Sequence, residues 1–231
     1  MTLPPFKMIT ETPMEKYRQD TWDTKEPETI AWIQSFNDGD VFFDVGANIG
    51  IYSLFCAATH PNCKILAFEP HQANFFRLLD NIKLNGFDNI TPFMYCVGDK
   101  TGHMDFTGFS DEVGSTGGQM SESGEVGELA CWSLDDFIIH GFYSPNPNHI
   151  KIDIDGQELA VIRGMKETLK SPKLKSVLVE IDDDGDRGQI ISTFWQNGFN
   201  TDNEFHKMKN HSRVRRAKEK INVENIVFVR R

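Results

Sequence analysis

The sequence lacks several features that would assign it to a specialised class of protein. No apolar run approaches the roughly 18 residues that a membrane-spanning helix needs. Residues 1–16 contain no basic stretch followed by an apolar one, so we expect no signal peptide. The cysteines form no Cys-x-x-Cys pair, so a zinc site or a disulfide framework is disfavoured; they are Cys56, Cys63, Cys96 and Cys131. We therefore expect a soluble cytoplasmic protein with reduced, buried thiols.

An excess of basic residues is also lacking. The net charge is −10 over 231 residues, and 39% of the residues are hydrophobic and 25% charged. This composition is typical of a folded globular domain. It disfavours a general affinity for nucleic acid, because proteins that bind nucleic acid usually carry a basic face.

Short apolar runs rich in β-branched and aromatic residues alternate with amphipathic stretches along most of the chain. This alternation predicts an α/β fold with a doubly wound, mostly parallel sheet. The predicted strands are Val41–Val45, Lys64–Phe68, Ile90–Val97, His149–Ile154, Ser176–Ile181, Phe199–His206 and an antiparallel Asn225–Val229. The predicted helices are Glu28–Phe36, Ile51–Ala58, Gln72–Asn85, Gln157–Leu169 and Gly188–Asn197.

No linker divides the chain, so we expect a single domain. Residues 1–38 are interpreted as an N-terminal helical cover and residues 39–231 as the main domain. Ser110–Glu128 interrupts the alternation because it is rich in glycine, serine and acidic residues and has no apolar periodicity. We predict an exposed loop there. A simple surface excursion is favoured, and a segment that closes over a site is the alternative.

The strand Val41–Val45 runs into a turn that contains Gly46 and Gly50 and opens a helix. In α/β folds such glycines let the backbone approach a nucleotide at the carboxyl edge of the sheet. Two glycines alone could equally form a plain structural turn. Asp44 sharpens the interpretation, because a carboxylate at the strand end would repel a pyrophosphate but attract an ammonium or a sulfonium. The spacing also departs from the G-x-G-x-x-G pattern of nicotinamide-dependent dehydrogenases, the first alternative.

Glu69 ends the second predicted strand and is followed by Pro70 and His71. An acidic residue one strand and one helix after a glycine loop is suited to accept hydrogen bonds from both hydroxyls of a ribose. Asp99, after the third predicted strand, could accept from an adenine amino group or be an ordinary turn residue. His71 could line the same pocket, but we favour a simple helix start.

Taken together, these motifs resemble the FkbM family of class I S-adenosylmethionine-dependent methyltransferases. The resemblance rests on Asp44–Gly50 and Phe68–Pro70, continues through Ser133–Phe137, Lys151–Glu158 and Val179–Ile181, and ends with Ile226–Val229. It implies a Rossmann-like, seven-stranded sheet with an antiparallel last strand. It also implies S-adenosylmethionine as the cofactor and transfer usually to a hydroxyl oxygen of a sugar, a glycan or a secondary metabolite. Asp155 departs from the family, which usually has Glu at that position.

Within this resemblance the cofactor contacts come from the glycine loop and from the acidic residues that follow it. The candidate residues are Asp44, Gly46, Ala47, Asn48, Gly50, Glu69, Pro70 and Asp99. A non-catalytic binding protein on the same fold is a second alternative, although intact Asp44, Glu69 and Asp153 argue against it. The Asn-Pro-Pro-aromatic motif of amino-group DNA methylation is absent, so we expect no nucleic-acid partner.

Methyl transfer is an in-line displacement at a carbon activated by a positive sulfur, so the enzyme mainly aligns the reactants and excludes water. A hydroxyl acceptor also benefits from a base that removes its proton. Alternation along the fourth predicted strand places Lys151, Asp153 and Asp155 on one face near the carboxyl edge. We expect Asp153 to be the general base or the group that orients the acceptor. Lys151 would be its partner or a substrate contact, and Asp155 a further catalytic acid.

Two other interpretations of these acidic residues remain open. Asp155, three residues before Glu158, could cap the next helix as in a capping box. Asp153 or Asp155, joined by Asp182 or Asp183, could hold Mg²⁺ as in some metal-dependent O-methyltransferases. The acidic run after the fifth strand is more typical of a solvated turn, so we expect no metal.

The charge is unevenly distributed along the chain. Residues 206–231 carry nine Lys or Arg against two Glu, a net charge of +7, which leaves −17 on the residues before them. Lys207–Lys220 connects the last two predicted strands and is expected beside the site, at the carboxyl edge. Arg213, Arg215 and Arg216 are therefore candidates for binding an anionic small-molecule or glycan acceptor, such as a uronic-acid sugar. A solvated helix is the alternative.

Overall fold

The computed structural model describes residues 3–107, 112–115, 119–121, 128–141, 145–182, 186–206 and 223–230. The helices are α1 Pro13–Asp20, α2 Pro27–Gln34, α3 Ile51–Thr59, α4 Gln72–Asn85, α5 Leu134–His140, α6 Glu158–Arg163, α7 Lys166–Lys170, α8 Arg187–Gln196 and α9 Asn203–His206. The strands are β1 Val41–Val45, β2 Lys64–Phe68, β3 Ile90–Phe93, β4 Cys96–Val97, β5 Gly102–Thr107, β6 Gln119–Ser121, β7 Glu128–Trp132, β8 His149–Ile152, β9 Ser176–Asp182, β10 Phe199–Thr201 and β11 Val223–Arg230.

A seven-stranded sheet forms the centre of the fold, in the order β3-β2-β1-β8-β9-β11-β10. The pairs between β3, β2, β1, β8 and β9 are parallel, whereas β11 is antiparallel to both of its neighbours. The predicted fold class, a doubly wound sheet with an antiparallel last strand, is therefore confirmed. The carboxyl ends of β1, β2, β8 and β9 meet at one edge, where α/β proteins bind their ligands.

The sheet is buried on both faces, which explains why its central strands are continuously apolar. All five residues of β1 are buried. Alternate side chains point to opposite faces, so Phe43 and Val45 pack with residues of α5, α6 and α8, and Phe42 packs with residues of α2, α3 and α4. The two cores thus lie on either side of one sheet.

The N-terminal segment contributes to the second of these cores. Phe6, Met8 and Trp22 lie in one hydrophobic cluster with residues of β1, β2 and α3. Helix α1 begins with a complete capping box, in which Thr12 accepts from the Glu15 N–H and the Glu15 carboxylate accepts from the Thr12 N–H. This packing holds the loop between α1 and α2 against the sheet. The boundary at residue 38 stays a prediction.

A second, four-stranded sheet lies between β3 and α5 along the chain, in the order β4-β7-β5-β6. Two predictions were wrong here. The expected strand Ile90–Val97 is divided into β3 and β4, which belong to different sheets, and the expected loop Ser110–Glu128 contains β6. Strand β6 is three residues long, and within the described part of the chain it pairs with β5. Backbone hydrogen bonds to β5 stabilise this strand, and because they involve no side chains, the pattern of apolar residues does not predict it.

Two further predicted elements differ from the structure by more than two residues. The expected helix Gln157–Leu169 is broken into α6 and α7 at Gly164, where a Cβ would lie 2.0 Å from the carbonyl oxygen of Gly98. The expected strand Phe199–His206 ends at Thr201, and the Asp202 carboxylate accepts from the Glu204 N–H at the start of α9. A contact with the distant Gly98 accompanies the first break, and a hydrogen bond within the turn accompanies the second.

All four cysteines are buried free thiols, as predicted. Among the described residues, every helix is too short or too polar to cross a membrane.

Candidate functional site

The glycine loop, residues 46–50, follows β1 and bends over the end of β2. The N–H groups of Gly46 and Ala47 both donate to the Phe68 carbonyl, at 3.0 and 2.9 Å. Gly46, Asn48 and Gly50 have positive φ angles of 82°, 51° and 96°. This left-handed backbone favours glycine at the two ends of the loop and tolerates asparagine in the middle.

The two glycines allow a close approach of protein atoms. A Cβ at Gly46 would lie 1.9 Å from the carbonyl oxygen of Asp153, and a Cβ at Gly50 would lie 2.4 Å from Leu78 Cδ1. Gly46 thus lets the glycine loop pack against the residues that follow β8, and Gly50 lets it pack against α4. The sequence left open whether these glycines admit a ligand or form a structural turn, and these contacts show that close packing within the protein is one reason for them.

Glu69 lies directly after β2 and faces the glycine loop. Its Oε2 accepts from the Asn48 N–H at 2.7 Å, and its Oε1 accepts from the His71 N–H at 2.9 Å. The carboxyl group is buried, and this burial raises its pKa to about 7 despite the hydrogen bonds that favour the charged form. Pro70 is half-buried beside it, and His71 is the N-cap residue of α4, the helix start that we favoured for it.

Asp44 lies in β1 and is completely buried. Its Oδ2 accepts from the Ser53 hydroxyl at 2.6 Å, whereas its Oδ1 has no hydrogen-bond partner among the described residues. Burial raises the pKa of this carboxyl group, and the charge of Lys151 opposes that shift. One acceptor atom of Asp44 therefore remains for a cationic donor.

Lys151 and Asp153 form an ion pair at the carboxyl end of β8. Lys151 Nζ lies 2.6 Å from Asp153 Oδ2, and the Lys151 side chain is 1% exposed whereas that of Asp153 is 20% exposed. Burial opposes both charges, but Lys151 holds the pKa of Asp153 well below its usual range, and Asp153 and Asp44 raise that of Lys151. Asp153 is the charged member of this pair that a ligand can reach.

A second ion pair comes from the N-terminal segment and was missed by the sequence analysis. Lys25 Nζ lies 2.7 Å from Glu26 Oε1, and the Tyr52 hydroxyl donates to Glu26 Oε2 at 2.6 Å. The charge of Asp153 also helps to raise the pKa of Lys25, against the effect of burial. The two ion pairs thus form one charged cluster. No spacing rule connects Lys25 to Asp153, so the only sequence signal was a charged pair directly before Pro27.

Three carboxylates of this cluster converge. One oxygen each of Glu26, Asp153 and Glu180 lie within 4.8 Å of one another. This set differs from the metal alternative of the sequence analysis, in which Asp153 or Asp155 joined Asp182 or Asp183. The side chains of Asp182 and Asp183 lie outside the described residues. Lys25 and Lys151 offset part of the negative charge of the cluster, and the absence of a metal stays a prediction.

Asp155 lies beyond the end of β8, so strand alternation does not extend to it. It is exposed and has a positive φ of 56°. The capping-box interpretation of Asp155 was wrong, because the N-cap of α6 is Gln157. Glu158 reaches back instead, and its Oε1 accepts from the N–H groups of Ile154 and Gly156 at 3.2 and 3.1 Å.

The position of Asp99 in the fold differs from the prediction. It is exposed and follows β4, a strand of the second sheet, instead of the third strand of the central sheet. Its contact with adenine stays a prediction. The candidate acceptor residues Arg213, Arg215 and Arg216 lie outside the described residues.

Comparison with known proteins shows which family the chain belongs to. The pattern of the "Methyltransferase FkbM domain" matches residues 44–216, from Asp44 at the glycine loop through most of the chain. The chain belongs to the FkbM methyltransferase family. The family is one of S-adenosylmethionine-dependent methyltransferases, which agrees with the predicted cofactor. The nicotinamide-dependent dehydrogenase alternative is therefore set aside.

Two relatives and one solved structure illustrate the range of this similarity. The hexuronic acid methyltransferase AglP of Haloferax volcanii is 30% identical over 149 residues, which cover 64% of this chain and 59% of AglP, less than two thirds of its length. The 31-O-demethyl-FK506 methyltransferase FkbM of Streptomyces tacrolimicus is 27% identical over 192 residues, 70% of this chain and 73% of that protein. Fibrillarin of Aeropyrum pernix, solved with natively bound S-adenosylmethionine, shares the fold with a TM-score of 0.52 at 12% identity and covers 90% of this chain and 76% of that one.

Proposed function

We propose that the protein transfers the methyl group of S-adenosylmethionine to a hydroxyl oxygen of a sugar or glycan acceptor. One observation carries the proposal. Asp153, partly exposed and paired with the buried Lys151, adjoins the glycine loop at the carboxyl edge of the sheet. The FkbM family and the named acceptor of AglP, a hexuronic acid, support this acceptor class.

The residues present fit the cofactor. Glu69 offers a carboxylate for the ribose hydroxyls, and Asp44 has a buried acceptor atom, Oδ1, with no partner among the described residues. Both acids suit a ligand that carries an ammonium and a sulfonium. When bound, S-adenosylmethionine supplies an electrophilic methyl group. The protein then has to exclude water and align the acceptor oxygen.

Asp153 is proposed to accept a hydrogen bond from the acceptor hydroxyl. Its pKa lies well below the usual range, so it is a weak base, and its contribution is to orient and polarise the hydroxyl group. Lys25, whose side chain is 26% exposed, belongs to the same charged cluster through its ion pair with Glu26. It is proposed to donate to a neighbouring oxygen of the acceptor, such as a second hydroxyl or a uronic-acid carboxylate.

Binding of the donor is tested first, by isothermal titration calorimetry with S-adenosylmethionine, S-adenosylhomocysteine and NAD⁺. We expect both adenosyl ligands to bind and NAD⁺ to give no heat. Binding of NAD⁺ without a response to the adenosyl ligands would overturn the proposal.

Acceptor use is tested by mass spectrometry after incubation with S-adenosylmethionine and a panel of methyl glucuronoside, methyl glucoside and the corresponding amino sugars. We expect a gain of one methyl group on a hydroxyl of the glucuronoside. Donor binding with transfer only to an amino group would contradict the proposed O-methylation. Donor binding with no transfer to any member of the panel would contradict the proposed sugar acceptor.

The role of Asp153 is tested by Asp153→Asn. We expect turnover to fall roughly a hundredfold while the affinity for S-adenosylhomocysteine changes little, because the orienting carboxylate is lost. Asp20→Asn is the control, since it removes a carboxylate paired with a lysine, Lys16, at 2.9 Å on the surface. Full turnover in Asp153→Asn would make Asp153 structural.

Dependence on a metal is tested by dialysis against a chelator. We expect turnover to be unchanged, because Lys25 and Lys151 already pair with Glu26 and Asp153. Loss of turnover that Mg²⁺ restores would instead assign the three converging carboxylates to a cation.

A further inference from the structure

Residues 112–115, here called the strap, are the part of the Ser110–Glu128 segment that docks on the glycine loop. The strap is a turn with internal hydrogen bonds from the N–H and the hydroxyl of Ser115 to the Glu112 carbonyl, at 3.1 and 2.7 Å. Gly114 at its centre is buried. The described part of this segment is therefore packed against the protein, and the favoured prediction of a simple surface excursion was wrong for it.

Three separate elements hold the strap. The Gly114 N–H donates to Asn74 Oδ1 on α4 at 2.8 Å, and the Gly114 carbonyl accepts from Arg18 Nε on α1 at 2.6 Å. The Ser115 carbonyl accepts from Asn48 Nδ2 of the glycine loop at 2.8 Å and from Asn74 Nδ2 at 3.2 Å. The strap thus spans from the N-terminal helix to the glycine loop.

The same three anchors act on Glu69. The Asn48 N–H donates to its carboxylate at 2.7 Å, a side-chain hydrogen bond from Asn74 lowers its pKa, and the charge of Arg18 lowers it further. The three anchors lie on α1, the glycine loop and α4. Of the three anchoring side chains, that of Arg18 is charged. A ligand hydroxyl on Glu69 would therefore sit next to the strap.

Gly114 has a backbone conformation that favours glycine. Its φ is 86°, and a Cβ there would lie in ordinary van der Waals contact with α1, 3.4 Å from Met14 Cγ, 3.6 Å from Glu15 Cγ and 3.7 Å from Arg18 Cδ. A side chain at this position would therefore strain the backbone without a clash against α1. Substitution at Gly114 thus acts on the conformation of the strap.

We infer that the strap is a wall of the cofactor pocket at the ribose and that Asn74 is a positioning residue for it. Asn74 is buried, and its amide holds the strap through both its oxygen and its nitrogen, and its side chain also helps to lower the pKa of Glu69 against the effect of burial. It therefore keeps the wall and the ribose-binding carboxylate in one arrangement. This inference rests on the proposed function, because it takes Glu69 as the residue that binds the ribose of an adenosyl ligand.

The experiment measures the dissociation constant of S-adenosylhomocysteine for the full chain and three variants by calorimetry. We expect Asn74→Ala and Gly114→Ala each to weaken binding about tenfold or more, because a buried hydrogen-bonded wall is loosened beside the ligand. Asn85→Ala is the matched control. Asn85 lies on the same helix, and its amide likewise holds a distant backbone segment through both its oxygen and its nitrogen. It accepts from the Lys7 N–H at 2.7 Å and donates to the Lys7 carbonyl at 2.8 Å. It should leave the dissociation constant unchanged.

A second readout separates positioning from a general loss of stability. Asn74→Ala removes a donor to Glu69, so the pH below which affinity declines should move upward, whereas Gly114→Ala, which leaves that donor in place, should weaken binding with a smaller change of this pH. Thermal unfolding of each variant shows whether it is folded. Unchanged affinity in folded Asn74→Ala and Gly114→Ala would overturn the inference and leave the proposed function intact. A failure of the unmodified protein to bind S-adenosylhomocysteine would instead overturn the proposed function.

Discussion

At the scale of single residues, two carboxyl groups of the candidate site have opposite pKa shifts. Glu69 is buried with hydrogen bonds from backbone N–H groups, and its pKa rises to about 7. Asp153 has a buried lysine 2.6 Å away, and its pKa falls well below the usual range. Burial acts on both, so the difference comes from the neighbouring full charge. Near neutral pH, Asp153 is charged, whereas Glu69 is charged only in part until a ligand favours the carboxylate.

This difference predicts a pH dependence of cofactor affinity. Ribose hydroxyls donate to the ionised form of Glu69, so affinity for S-adenosylhomocysteine should rise as the pH increases through about 7 and be lost below it. Glu69→Gln should weaken binding by about 1–3 kcal/mol at pH 8 and remove the dependence, because the amide cannot ionise. Calorimetry between pH 6 and pH 8.5 measures both effects.

Glu158 provides the control for this prediction. Burial raises its pKa to about 7 as well, but its Oε1 accepts from backbone N–H groups at the start of α6. Glu158→Gln should therefore keep the pH dependence. A flat profile in this variant would assign the titration to Glu158 and contradict the role of Glu69.

At the scale of elements, the turn between β1 and α3 depends on how closely it packs. Gly46 has a φ of 82°, and a Cβ there would lie 1.9 Å from the Asp153 carbonyl oxygen. Gly46→Ala should lower the free energy of unfolding by about 2–5 kcal/mol, because left-handed strain and overpacking add together. Denaturant titration measures the change.

Gly39→Ala separates the two contributions to that loss. Gly39 has a similar φ of 84°, but a Cβ there would have no atom within 4 Å. This variant should therefore cost only about 1–2 kcal/mol, the strain of the left-handed backbone. Equal losses of the free energy of unfolding in the two variants would show that overpacking against Asp153 does not destabilise Gly46→Ala.

The bounds of elements with a strong pattern of apolar residues were predicted well. The bounds of elements that end at a contact with a distant segment were not. The bounds of β1, β2 and α4 agree with the predictions, because each has a complete apolar run or a complete helical period between turn residues. The break between α6 and α7 has another origin. Gly164 packs against Gly98, which lies far away in the sequence, and no local period records that contact.

At the scale of the whole molecule, the polar network at the amino edge of the sheet ties α2 to the central strands. Asp40 can only accept, so His149 donates to it from Nε2 at 2.9 Å and accepts from the Ser176 hydroxyl at Nδ1, at 2.7 Å. Ser176 in turn accepts from Trp32 Nε1 at 2.8 Å. Ser176, His149 and Asp40 are hydrogen-bonded in the same series as the catalytic triad of a hydrolase, but all three residues are buried. The network is therefore structural.

This network predicts a loss of stability in acid. Burial lowers the pKa of His149 from 6.5 to about 4, so the unfolded chain binds its proton first, and stability is lost as the pH falls from 6.5 towards 4. The protonation of His149 should lower the free energy of unfolding by roughly 3 kcal/mol across this pH range. Glu69 and Glu158, with pKa values raised to about 7, act in the opposite direction, so the comparison has to be made between variants.

His149→Gln should be less stable at pH 7 but should lose less stability than the unmodified protein between pH 6.5 and pH 4. Denaturant titrations at several pH values measure this difference. His140→Gln, at an exposed histidine, is the control and should leave the curve unchanged. Parallel curves for His149→Gln and the unmodified protein would show that the pKa of His149 is the same in the folded and unfolded states.

The uneven charge of the chain leads to a prediction about the acceptor. Residues 206–231 carry a net charge of +7 in a protein of net charge −10, and their basic part, with Arg213, Arg215 and Arg216, is proposed to attract an anionic acceptor. Reversal of these three arginines to Glu should raise the KM for methyl glucuronoside and reduce its salt dependence. The KM for methyl glucoside, which has no charge, should stay the same. An equal change for both sugars would exclude charge attraction.

The sequence by itself determined the succession along the chain of the strands of the central sheet, the glycine loop, and the candidate acids Asp44, Glu69 and Asp153, because each of these depends on a pattern within a few neighbouring residues. Only the tertiary structure decided which distant residues join them. Lys25 and Glu26 meet Asp153 from the N-terminal segment, and Ser115 meets Asn48 and Asn74 from the segment between β5 and β6, two strands of the second sheet. The physical reason is that hydrogen bonds and ion pairs between distant segments depend on how the layers pack, and no period along the chain encodes that packing.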